Sequence, residues 1–113
     1  MAASEDRWSI DRLTSANYAT WKFQMKHLLI AKGLYFIVDG TEKAPAESAE
    51  AKEKSEYLSR SQRAFSNIAL SVSSELVYII SDSEDPHDAW TKLKKHFERN
   101  TLANKLFLKK TVL

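Results

Sequence analysis

Three histidines, His27, His87 and His96, offer the readiest proton and metal chemistry near neutral pH. A protein-held zinc ion needs three or four ligands converging on one point. The sequence trace of such a site is histidine or cysteine recurring at short spacing. None of these histidines has another three or four residues away, and the chain has no cysteine. Surface or boundary histidines are therefore expected, with no metal and no cofactor. Asp82, Glu84 and Asp85 are the one acid cluster expected outside a helix. General acid–base catalysis needs carboxylates in contrasting environments. Three acids on one polar turn do not provide that, and helix capping accounts for at least one of them. No glycine-rich phosphate loop, Gly-x-Ser-x-Gly turn or plausible Ser-His-Asp set is present. The chain reads as a non-enzyme without a small-molecule substrate.

Charge offers a second kind of chemistry. The net charge of +2 hides a gradient. Residues 92–113 hold seven cations, Lys92, Lys94, Lys95, Arg99, Lys105, Lys109 and Lys110, against the single acid Glu98. The other 91 residues hold ten cations and fourteen acids. Unlike charge at the two ends can draw copies together head to tail, or hold a polyanion at one end. Lys92, Lys95, Arg99, Lys105, Lys109 and Lys110 are the candidate RNA contacts. Against that reading, lysine-rich helix exteriors are ordinarily solvated faces, and the interleaved rings Trp90, Phe97 and Phe107 fall on an apolar stripe.

The elements that must position these groups are helical. With 113 residues, 43% hydrophobic and only two Gly and two Pro, the chain suits one modest core and disfavours the many tight turns of an all-β protein. Residues 1–14 read as an irregular lead-in, with Trp8, Ile10 and Leu13 as possible anchors. Tyr18, Trp21, Met25, Leu28 and Leu29 fall at core-facing helical spacing, with Asn17 placed to cap the start and Gly33 to end it. Leu34 to Val38 reads as a helical turn or irregular segment, and Gly40 and Pro45 mark a loop. A long helix is predicted from about Ala46 to Val72, exposed at its front. Leu58, Phe65, Ile68, Ala69 and Val72 are expected on its inner face. Ser71, Ser73 and Ser74 should break it, and a short apolar helix should follow over Glu75 to Ile80.

Asp85-Pro86-His87-Asp88 is a strong helix start, because Asp85 can cap and proline is tolerated at the first helical position. Ala89, Trp90, Leu93 and Phe97 then share a face. Trp21 and Trp90 could anchor a partner, but their regular spacing favours the core. Asn100 and Thr101 are read as an interruption before a final helix. That helix is apolar on more than one side, so Leu102, Leu106, Leu108, Val112 and Leu113 are the candidate assembly interface. The chain stops while the pattern is still helical, which reads as an incomplete unit. The sum is an all-α bundle of about five helices. The acidic N-terminus lacks the apolar run of a secretory signal, and no run is long enough to span a membrane. A chain without cysteine suits a reducing compartment, so a cytoplasmic location is expected.

Asn17-Tyr18…Trp21…Met25…Leu28-Leu29…Gly33-Leu34-Tyr35, then Ala89-Trp90…Leu93…Phe97…Asn100-Thr101-Leu102…Leu106…Leu108, resembles the Gag polyprotein of copia-type LTR retrotransposons. The resemblance covers about residues 11–113. It implies a capsid N-terminal-lobe-like domain over residues 15–113, short of full Gag, that self-associates into a shell around element RNA. The implied partners are other copies of itself or of Gag, and RNA through the basic C-terminal helices. The alternative is a host-domesticated module that binds Gag or a cellular protein and modulates assembly. Copia-type Gag often carries a CCHC zinc knuckle that grips RNA. No cysteine is present here, so an RNA role would rest on the basic helices alone.

Overall fold

Alternation of buried and exposed positions in the computed structural model follows a helical period almost throughout. The structure describes the backbone of residues 10–112 and the side chains of residues 10–99. Four helices are formed: α1 (Tyr18–Ala31), the short α2 (Tyr35–Val38), α3 (Ala51–Ala69) and α4 (Pro86–Val112). A 3-10 turn, Val77–Ile79, sits between α3 and α4. The all-α class holds, with four helices where five were expected. No strand is formed among the described residues.

α1 buries Trp21, Met25 and Leu29. Its start differs from expectation. The Asn17 side chain makes no capping bond to α1. It closes the preceding turn instead, accepting from the Thr14 N–H at 2.8 Å and donating to the Arg12 carbonyl at 3.0 Å. The helix ends at Gly33, whose φ of 72° is the left-handed conformation that a side chain would oppose. The Leu34 N–H reaches back to the Leu29 carbonyl and the Gly33 N–H to that of Ile30. This double closure satisfies carbonyls the helix would leave unpaired. It also drops Leu34, fully buried, into the core.

α3 starts at Ala51, later than the sequence suggests. Residues 46–49 form a turn, with the Ala49 N–H on the Ala46 carbonyl, and Glu50 is extended. The inner face is Ser61, Ala64 and Ile68. Leu58, expected inside, is 57% exposed. Phe65 and Ala69 only border the core.

Past α3 the chain drops its helical pattern and Val72 pairs with Leu13 in an isolated parallel bridge. The Ser71 carbonyl accepts the Leu13 N–H at 2.7 Å and the Trp21 indole N–H at 3.0 Å. Leu13 is fully buried and Ile10 packs beside it, so the lead-in joins the core. Trp8 lies outside the described residues. Residues 75–80 make only a 3-10 turn, flanked by buried Leu76 and Ile80.

α4 begins as its sequence dictates: the Asp85 carboxylate accepts the Asp88 N–H at 2.8 Å, and Pro86 takes the first helical position. The break expected at Asn100-Thr101 does not occur, and one helix of 27 residues runs through it. Asn and Thr each cost a helix only about 0.7 kcal/mol relative to Ala, too little to stop one already propagating.

Replacing Trp21 by Ala should cost about 3–5 kcal/mol through the cavity it leaves. Trp21→Phe should cost less and mainly remove the hydrogen bond to Ser71, worth about 1 kcal/mol. Urea unfolding followed by circular dichroism checks both, and an Ala variant as stable as the parent would refute the packing described.

Candidate assembly and nucleic-acid surfaces

The core is lined with rings. Tyr18 and Phe97 stack with centroids 4.6 Å apart, Trp21 and Trp90 lie 5.9 Å apart, and Tyr35 meets Trp90 edge-on at 6.3 Å. Trp21, Met25, Leu29, Ala89, Trp90, Leu93 and Phe97 are buried; Tyr18 and Leu28 are partly so. The indoles are buried against each other and hold α1 to α4, which places them in the scaffold.

The polar candidates are dispersed. Exposed His27 lies against Phe23 at 4.6 Å and His96 meets Phe97 at 4.8 Å. His87 places Nδ1 3.0 Å from the Val38 carbonyl, a contact in which Nδ1 carries the proton and donates. Its ring also lies over Gly40 (φ 88°), where a Cβ would come within 2.8 Å of it. No group of three metal-ligating side chains occurs among the described residues. A shallow cavity is lined by Ile37, Gly40, Tyr57, Pro86 and His87. Three of the polar groups that line it are engaged: Asp85 caps α4, His87 bonds Val38, and the Glu42 carboxylate takes both terminal nitrogens of Arg60, at 2.6 and 2.8 Å. The Arg60 fork holds the Glu42 carboxyl below its ordinary pKa.

The acid cluster is also divided. Asp85 caps, Asp82 pairs with Lys92 at 3.0 Å, and Glu84 is exposed. Lys92 reaches Asp88 as well, at 2.9 Å. It lowers the pKa of both carboxyls, and its own is raised by Asp88 first and then Asp82. Lys92, a candidate RNA contact, is thus held between two acids. Lys95 and Arg99 are exposed on α4. The side chains of Lys105, Lys109 and Lys110, and those of Leu102, Leu106, Leu108, Val112 and Leu113, lie outside the described residues.

The outer surface carries more large apolar side chains than the sequence reading noticed. Phe23 is 63% exposed, Phe36 59%, Leu70 75% and Tyr78 66%, with Ile30 and Val77 also open. The signal was present: Phe23 and Ile30 lie seven residues apart, opposite the Trp21–Met25–Leu29 stripe. No helix among the described residues is long and apolar enough to cross a membrane.

The described residues form a helical domain with an aromatic core and several large apolar side chains open at its surface. A family model of the gag polypeptide of LTR copia-type elements covers residues 25–112. The chain belongs to that family. It is 33% identical over 93 residues to a retrovirus-related Pol polyprotein from transposon TNT 1-94 of Nicotiana tabacum. The aligned stretch takes in 82% of this chain and 7% of that polyprotein. No solved structure matches the chain. The family match includes the Ala89-Trp90 block and begins at Met25, so Tyr18 and Trp21 precede it.

Tyr18 supplies a pH test. Burial first, and the nearby Glu98 carboxylate second, push its phenol up to about 12. The folded state therefore favours the neutral phenol. Its contribution to stability should be intact below about pH 10 and fall away between pH 10 and 12, where the unfolded chain ionises first. Urea midpoints across that range should drop more steeply for the parent than for Tyr18→Phe; parallel profiles would show that Tyr18 is not desolvated.

Proposed function

We propose that this chain is a structural, non-enzymatic Gag domain that self-associates into a capsid-like assembly around element RNA, in the cytoplasm. The observation carrying the reading is the coincidence of copia-type gag membership with large apolar side chains left open on a small helical body. An isolated domain seldom keeps such surface uncovered. A shell needs more than one kind of contact, and the second half of α4, with Leu102, Leu106, Leu108 and Val112, together with Leu113, is offered as one of them. Sedimentation velocity over a concentration series should show mass rising with concentration. Leu108→Asp or Val112→Asp should weaken the association while leaving the helical signal in place. A plain monomer at high concentration, with and without RNA, would refute the reading.

RNA is proposed to bind through exposed Lys95 and Arg99 together with Lys105, Lys109 and Lys110. Affinity should fall steeply with salt, because each phosphate contact releases a condensed counterion. Lys95→Gln and Arg99→Gln should each lower the slope of log K against log salt by about 0.7 to 1. Lys92→Gln should change it less, since Lys92 already pairs with Asp82 and Asp88. Fluorescence anisotropy with a labelled RNA measures all three. No binding at low salt would remove RNA from the proposal.

A further inference from the structure

A groove between the end of α1 and the side of α3 is built from one kind of chemistry. Lys32, Ser59, Gln62, Arg63, Ser66 and Asn67 line a cavity of about 290 Å³ there: two cations, two hydroxyls and two carboxamides. No acid lines it among the described residues. Acids are also missing from the sequence on both sides of it, since residues 12–38 and 57–74 hold no Asp or Glu. The nearest acid along α3 is Glu56, seven residues before Arg63. That is about 10 Å along the helix axis, beyond the screening length of about 8 Å at physiological salt.

The charges beside this groove are unspent. Arg60, the other cation of residues 57–74, is taken by Glu42 and donates to the Gly33 carbonyl at 3.5 Å, which braces the end of α1 against α3. Lys32 and Arg63 are exposed and form no ion pair among the described residues. Asn67 spends its Nδ2 on the Arg63 carbonyl at 2.8 Å, while Ser59, Gln62 and Ser66 keep their donors open. Two like charges beside one gap repel, and an anion seated between them removes the repulsion. The guanidinium fork matches two oxygens of a phosphate, the lysine adds a point charge, and the hydroxyls and the Gln62 amide add neutral donors. Length decides between one phosphate and several. The lining residues of α3 run from Ser59 to Asn67, about 12 Å of helix, which is longer than a single phosphate group and suits a row of them.

We propose that this groove binds a row of phosphates on a polyanionic chain, with Arg63 and Lys32 as its charged ligands. Two sources carry that chemistry, a single-stranded RNA and an inorganic polyphosphate. The site lies on α1 and α3 and goes beyond the RNA contact proposed on α4, so either stands without the other.

Fluorescence anisotropy of a labelled oligouridylate with the full chain tests the groove. The paired variant Lys32→Gln/Arg63→Gln should bind more weakly and lower the slope of log K against log salt by about 1.4, two contacts at about 0.7 each. Arg63→Lys keeps the charge and loses the fork, so the slope should hold while affinity drops severalfold. Lys52→Gln, exposed on α3 outside the groove, should change neither. Circular dichroism verifies that each variant folds. Unlabelled tripolyphosphate should displace the label and polyglutamate should not, and NMR amide shifts of Gln62, Arg63, Ser66 and Asn67 should move when tripolyphosphate is added. Displacement by unlabelled oligouridylate far beyond that by polyphosphate of equal charge assigns the source as RNA; equal displacement assigns the bare phosphate chain. If the parent binds RNA and the paired variant binds with the same affinity and slope, this groove is wrong and the α4 contact survives. If polyglutamate displaces the label as well as tripolyphosphate does, the groove does not select phosphate and the proposal falls. A parent chain that binds no RNA at low salt removes the α4 contact, and removes this site too if tripolyphosphate moves none of those amides.

Discussion

The Ser71 carbonyl is the point through which the rest of the fold is tied. It lies where α3 has ended, and it accepts two donors from distant parts of the chain, the Leu13 backbone and the Trp21 indole. Trp21 is large, almost fully buried and carries one polar atom, so burying it is favourable only if that N–H finds an acceptor. The serines at 71, 73 and 74 stop the helix and thereby free a backbone carbonyl to serve. With the indole fixed, its ring meets Trp90 and orients α4 against α1. The lead-in, the first helix, the end of the third and the start of the last are thus coupled through one oxygen and one pair of rings. The charge–π and ion-pair contacts around Lys22, Tyr18 and Glu98 decorate that frame from outside.

Readability of this fold from its residues followed the range of the forces involved. The Trp21–Met25–Leu29 stripe, the Gly33 stop and the Asp85-Pro86 start are set by neighbours within one or two turns, and they stand as the sequence suggests. Asn17 departs from the helix-cap pattern because the same carboxamide can serve the turn before a helix or the helix itself, and composition does not choose between them. Leu58 lies outside because a stripe about 100° wide leaves its edge positions undecided until the facing helices are known. The Asn100-Thr101 break failed because weak propensities were set against a helix with momentum from its own hydrogen-bond ladder. The Leu13–Val72 bridge has no local signature at all. Among the candidate functional groups, the seven cations of the C-terminal stretch were countable, but Lys92 could be seen as engaged only once Asp82 and Asp88 were placed beside it.

The interior and exterior of α1 show two uses of the same chemistry. Inside, aromatic and aliphatic side chains are matched by neighbours and fix a unique packing. Outside, Phe23 and Ile30 stand open to solvent, and stability of the isolated domain gives no reason to keep them there. Charge is handled in a similar way. Where cations and acids meet within the domain, as at Arg60 and Glu42, they brace the loop after α2 against α3. Where they are segregated by sign, they are available to something else.

Gly40 and His87 occupy what is sterically a single place. The imidazole lies where a Cβ at position 40 would stand, and its Nδ1 proton holds the Val38 carbonyl at the end of α2. Two positions far apart in the sequence here share one volume. A side chain gained at position 40 evicts the ring, and a ring lost at position 87 leaves a hollow under the loop and an orphaned carbonyl. Such a pair can drift only in step, which makes the loop after α2 less free to vary than its length and polarity suggest.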